Sequence, residues 1–75
     1  MEPYRNLSGT SGVSAYEIGP DHITIEFTDG TMYLYTYASA GKDNVERMKG
    51  LAQAGRGLST YISTTVGKLY ERKEK

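Results

Sequence analysis

The sequence predicts an α+β domain, a three-stranded antiparallel β-meander followed by two short helices packed on one face of it. Three observations carry that prediction. First, an Asp29-Gly30 step separates two alternating runs, ITIEFT before it and TMYLYTY after it, which is a strong short-range hairpin signal. Second, another alternating run, VSAYEI over residues 13–18, leads into Gly19-Pro20-Asp21, a turn sequence. Third, beyond the hairpin the apolar residues recur at helical rather than strand spacing.

Seventy-five residues make one domain near the small end of what folds unaided, because a chain of this size buries only about 60% of its unfolded surface. Without cysteine it has neither a disulfide framework nor a cysteine-based zinc site. A second subunit is then an expected source of stability, and a homodimer is predicted. No apolar run reaches membrane-spanning length, so a cytoplasmic location is expected. The predicted organisation is a flexible leader over residues 1–12, one α+β domain over 13–70 and a charged tail over 71–75.

Each element has its reason. A two-residue Asp29-Gly30 loop pairs Glu26 with Tyr33, Ile25 with Leu34, Thr24 with Tyr35 and His22 with Tyr37. Side chains alternate along a strand, so one face collects Ile23, Ile25, Phe27, Met32 and Leu34, and the other His22, Thr24, Glu26, Tyr33, Tyr35 and Tyr37. After the small-residue connector 38–41, Asp43 or Asn44 can cap a helix over 45–54. Its apolar stripe is Val45, Met48, Leu51 and Ala52, and Gly55 ends it. A second helix over 58–66 buries Leu58, Ile62 and Val66, with Leu69 facing the same way and Tyr70 packing back. Both helices are expected on the aliphatic face, which leaves the tyrosines open or covered by a second subunit.

The chemistry of an enzyme is not visible. One histidine, His22, no cysteine and no nucleophile elbow around Ser59 or Ser63 argue against catalysis. Scattered carboxylates give no metal-ligand spacing, and no cofactor is expected. The formal net charge of zero weighs against a polyanion held by phosphate neutralisation, while leaving room for a small anion. The tyrosine series reads three ways: rings that stack on bases, a protein interface, or cross-strand packing alone. Arg56 and Gly57 open the second helix and can meet an anion; the plain reading is a turn with a surface arginine. Ser59, Thr60 and Ser63 form a hydroxyl-rich helix face, suited to a polar ligand or simply solvated. Residues 8–12, with Ser11, read as a flexible leader or as a backbone nest for an anion.

Several stretches together resemble the KTSC domain, a module found at the C-terminus of some lysyl-tRNA synthetases. They are SGVSAYEIG over 11–19, ITIEF over 23–27, Tyr33-Leu34-Tyr35, and GRGLSTYI over 55–62. The chain departs from that pattern at Ala38-Ser39-Ala40-Gly41, Gly57 and Ser59. The resemblance implies strands first, a helical half after them, and RNA binding. In size and layout the chain is also similar to small phage sponge proteins that bind the cyclic dinucleotides of bacterial CBASS immunity. That likeness implies a homodimer in the host bacterial cytoplasm, sequestering a cyclic dinucleotide such as a cyclic GMP-AMP. Tyr33, Tyr35 and Tyr37 would stack, Arg56 and Gly57 would meet phosphate, and Ser59, Thr60, Ser63 and Ser11 would supply polar contacts. The alternatives are an RNA-binding accessory module and a protein-interaction or dimerisation domain.

Overall fold

A computed structural model describes residues 1–7, 9 and 11–74 of the chain. Its architecture is a five-stranded antiparallel sheet whose strands lie side by side in chain order, with helices on one face. The three strands expected from the sequence are its centre: β2 is Val13–Ile18, β3 His22–Phe27 and β4 Met32–Thr36. Two short edge strands complete it, β1 at Glu2–Pro3 and β5 at Arg72–Glu74.

Both edges correct the expected organisation. The stretch read as a leader places Glu2 opposite Tyr16 and Pro3 opposite Ala15, and Tyr4 is buried in the core. The Arg5 guanidinium donates to the Gln53 and Ala54 carbonyls, and the Leu7 N–H donates to the Gly55 carbonyl. The chain start thus satisfies carbonyls that a helix C-terminus leaves open. At the other end, the charges read as a tail pair with β4, Arg72 opposite Leu34 and Glu74 opposite Met32. Ser8 and Thr10 of the nest reading, and Lys75 of the tail, lie outside the described residues.

The β3–β4 hairpin corrects a larger expectation. Phe27 N–H donates to the Thr31 carbonyl and Gly30 N–H to the Phe27 carbonyl, so the loop is Thr28-Asp29-Gly30. Of these residues only Gly30 has positive φ, at 90°. This is a type I turn followed by a glycine bulge, the common three-residue loop. The Asp29 carboxylate fastens it by accepting from Thr31 N–H at 2.9 Å. The register is therefore Ile23–Tyr35, Ile25–Tyr33 and Glu26–Met32, one residue away from the expected pairing. A one-residue shift moves every side chain of a strand to the other face. Tyr33 and Tyr35 join Ile23, Ile25 and Phe27 beneath the helices, and Met32 and Leu34 join His22, Thr24 and Glu26 on the far side. A bulge at Ser14, between Val13 and Ala15, keeps both Val13 and Tyr16 on the helix side.

Thr36 ends β4 and caps the next helix. Its hydroxyl accepts from Ser39 N–H while the Ser39 hydroxyl accepts from Thr36 N–H, a reciprocal capping box. The resulting short helix α1, Tyr37–Ala40, starts at a residue expected to end the strand. Helix α2, Lys42–Ala54, begins earlier than expected, from Gly41 and without a side-chain cap. Asn44 instead lies inside it, donating to the Ala40 carbonyl and accepting from the Tyr61 hydroxyl. Val45, Met48 and Ala52 are buried as the stripe predicts, with Leu51 partly so. Helix α3, Leu58–Tyr61, runs into a π-helical turn, Ile62–Val66, closed by Gly67 N–H on the Ile62 carbonyl. Leu58, Ile62 and Val66 are buried, whereas Leu69 is 45% exposed.

The core lies between the sheet and these helices. It comprises Tyr4, Val13, Ile23, Ile25 and Tyr35 from the sheet side and Ala40, Val45, Met48, Ala52, Leu58, Ile62 and Val66 from the helices. Two of the helical contributors, Ala40 and Ala52, are alanines, and the Tyr4 and Tyr35 rings share the core with them. No helix among the described residues is long and apolar enough to cross a membrane.

Candidate functional site

The tyrosine series is mostly structural in its placement. Tyr35 is fully buried, and its hydroxyl donates to the Gly67 carbonyl at 2.8 Å. That bond ties the central sheet to the end of the π-helical turn. Burial, with smaller contributions from the neighbouring phenols of Tyr33 and Tyr70, drives the Tyr35 pKa upward. Ionising this ring would strand a charge in the core. Tyr33 is half-buried, edge-on to Phe27 at 5.2 Å and to Tyr70 at 4.7 Å between centroids. The Lys73 ammonium lies 5.7 Å above the Tyr33 ring, within cation–π range.

Tyr37 belongs to another cluster. Its hydroxyl donates to the Glu46 carboxylate, which also accepts from Lys49 at 2.7 Å. The Lys49 ammonium sits 5.5 Å from the Tyr37 ring centroid and reaches the Pro20 carbonyl. The hydrogen bonds from Lys49 and then Tyr37 hold the Glu46 pKa down. The same bonds hold Tyr37 and Lys49 above their ordinary values. This cluster fastens α1 and α2 to the β2–β3 turn, with Tyr37 on α1 and not on the sheet with Tyr33 and Tyr35.

The remaining expected residues are not gathered around those rings. Arg56 is exposed, with no hydrogen-bond or ion-pair partner among the described residues, and Gly57 beside it has φ 80°. Thr60 and Ser63 are exposed and Ser59 half-buried. The Thr60 carbonyl accepts from the hydroxyls of Ser63 and Thr64, so the hydroxyl face is partly turned back on its own helix. Ser11 is occupied locally, its N–H on the Asn6 side chain and its hydroxyl accepting from Val13 N–H. Neither Arg56 nor any residue of α3 lines either of the two cavities on the sheet described next.

What the fold leaves accessible is the far face of the sheet. Ala15 and Glu17 of β2, His22, Thr24 and Glu26 of β3, Met32 and Leu34 of β4, and Arg72 and Glu74 of β5 share it. A shallow cavity of about 250 Å³ lies there, lined by His22, Thr24, Met32, Leu34, Arg72 and Glu74. The His22 ring lies against Gly19, where a Cβ would come within 2.0 Å of it, and its Nδ1 is 3.3 Å from the Asp21 carboxylate. Sequence reasoning placed His22, Thr24 and Glu26 on the open face but set the tyrosines beside them and put Met32 and Leu34 in the core, because the register was one residue off. The signal that could have found it is size: helices presenting Ala40, Val45 and Ala52 call for large rings opposite.

A second cavity, about 280 Å³, opens beside the hairpin loop among Gly12, Phe27, Thr28, Asp29, Thr31 and Tyr33. Among the described residues no group of His, Asp and Glu could hold a metal ion. The chain matches no known family, no curated protein and no solved structure. The KTSC likeness therefore rests on the residues that carry it.

Proposed function

We propose that this protein is a non-enzymatic interaction module that works by self-association. One observation carries the reading: the register of β3 and β4 turns Tyr33 and Tyr35 to the helix side and leaves a mixed, carboxylate-bearing sheet face and two charge-bearing edges outside. Stacking platforms for bases need exposed rings. The accessible face offers Met32, Leu34 and Thr24 with Glu17, Glu26, Glu74 and Arg72, and no tyrosine. Three carboxylates against one guanidinium also oppose a polyanion, which counts against the RNA-module reading. A small two-layer domain with one bare sheet face gains from covering surface with a second copy.

Sedimentation equilibrium between about 10 μM and 1 mM tests this. We expect a reversible dimer whose fraction rises with concentration, as for interfaces at the weak end of the known range. A wild-type protein that stays monomeric throughout would sink the reading.

The cyclic-dinucleotide reading keeps one specific support, the cavity beside half-exposed Tyr33, with Phe27 on its wall and Lys73 over the ring. Tyr33 is then the stacking residue, and Tyr35 and Tyr37 hold the frame. Calorimetry against a panel of cyclic di- and trinucleotides decides it. Binding heat that disappears in Tyr33→Ala, with the fold intact by circular dichroism, would support it, and no heat at high micromolar protein would remove it.

A further inference from the structure

Resting on the self-association reading, we infer that two copies join edge to edge through β5, related by a two-fold axis at Lys73, to make one continuous ten-stranded sheet. The hydrogen-bond alternation of the sheet leads there. Phe27 and Thr31 form a bonded pair, so bonded pairs recur at Ile25–Tyr33 and Ile23–Tyr35. The amides of Met32 and Leu34 must then point the other way, toward Glu74 and Arg72 of β5. Lys73, between those two, directs its N–H and carbonyl to the free edge. A strand edge with outward amides is a template for another strand.

Charge selects the occupant. Antiparallel pairing about Lys73 sets Arg72 of one copy opposite Glu74 of the other, twice over. Charged residues on an edge ordinarily repel incoming strands. Here their signs are antisymmetric about one residue, so they reject most strands and accept their own copy. Within one chain Arg72 and Glu74 are 3.8 Å apart and more than half exposed, a contact worth little alone. Across the axis the same four groups form an alternating network. The like-charged pair on the axis, Lys73 with its counterpart, is eased because each ammonium leans over its own Tyr33 ring, 5.7 Å from the centroid. An interface in which each copy presents the same patch to the other is the commonest oligomer symmetry.

Concentration-dependent sedimentation of four variants tests the arrangement. Arg72→Glu and Glu74→Arg each oppose like charges across the axis and should weaken the dimer by about tenfold or more. The double variant, R72E with E74R, restores opposite charges and should return to within about threefold of wild type. Lys73→Pro removes the outward N–H while leaving the bonds between β4 and β5 intact, and should abolish the dimer with the monomer folded. If wild type dimerises and Lys73→Pro dimerises equally, or the double variant is no better than the singles, edge pairing is wrong and self-association stands. A monomeric wild type overturns both.

Discussion

Tyr35 shows how one side chain can look like a ligand contact and be a beam. Its ring sits at the sheet's centre with the helices over it, and its hydroxyl closes on the Gly67 carbonyl. The two halves of that role separate by substitution. Tyr35→Phe leaves the packing and deletes one hydrogen bond, so a loss of about 1 kcal/mol is expected. Tyr35→Ala empties the site and should cost about 3–5 kcal/mol, a large share of the total for so small a domain. Urea unfolding followed by circular dichroism measures both. If Tyr35→Ala cost no more than Tyr35→Phe, the ring would not be the core residue described. Sequence alone could not separate these roles, because a tyrosine satisfies an exposed stacking site and a half-polar core equally well.

At the scale of elements, glycines with positive φ set where strands and helices stop. Gly30 and Gly55 make an informative pair. Both are left-handed, at 90° and 80°. A Cβ on Gly30 would meet nothing within 4 Å, but on Gly55 it would come within 2.9 Å of the Arg5 Cβ. Gly30→Ala should therefore cost only the backbone term, about 1–2 kcal/mol. Gly55→Ala should cost that plus about 1–3 kcal/mol for the crowding of the N-terminal segment. Thermal and chemical denaturation of both variants would check the order, and equal losses would mean that residues 4–7 do not pack there. The helices were legible because Val45, Met48 and Ala52, then Leu58, Ile62 and Val66, repeat at a helical period. The hairpin was legible in existence and not in register. β4 reads Met-Tyr-Leu-Tyr, both of whose faces can be buried, so alternation had nothing to choose with.

For the whole molecule, the two ends of the chain hold the middle. Tyr4 lies in the core with its hydroxyl near Leu58 N–H, Arg5 caps α2, and β5 borders Tyr33. Removing residues 1–7 should cost at least about 3 kcal/mol, the lower end for losing a buried aromatic ring. Trimming a solvated leader would cost less than about 0.5 kcal/mol. Equilibrium unfolding of the shortened chain distinguishes the two. The α+β class and the three central strands could be read from local patterns. The edge strands could not, because runs of two or three residues carry no periodicity. Their pairing depends on long-range neighbours, Tyr16 for Glu2 and Leu34 for Arg72.

The three-residue loop at Thr28–Gly30 also makes the hairpin a parity device. Adding or losing one residue there turns β4 over against β3, delivering Tyr33 and Tyr35 to the far face and Met32 and Leu34 to the helices, while a change of two leaves both faces as they are. A bulge on β4 like that at Ser14 on β2 would cancel an odd change of length. The same arithmetic means that a single deletion could convert the covered aromatic row into a displayed one without altering any side chain, so that what the protein can touch is governed by a count rather than by a composition.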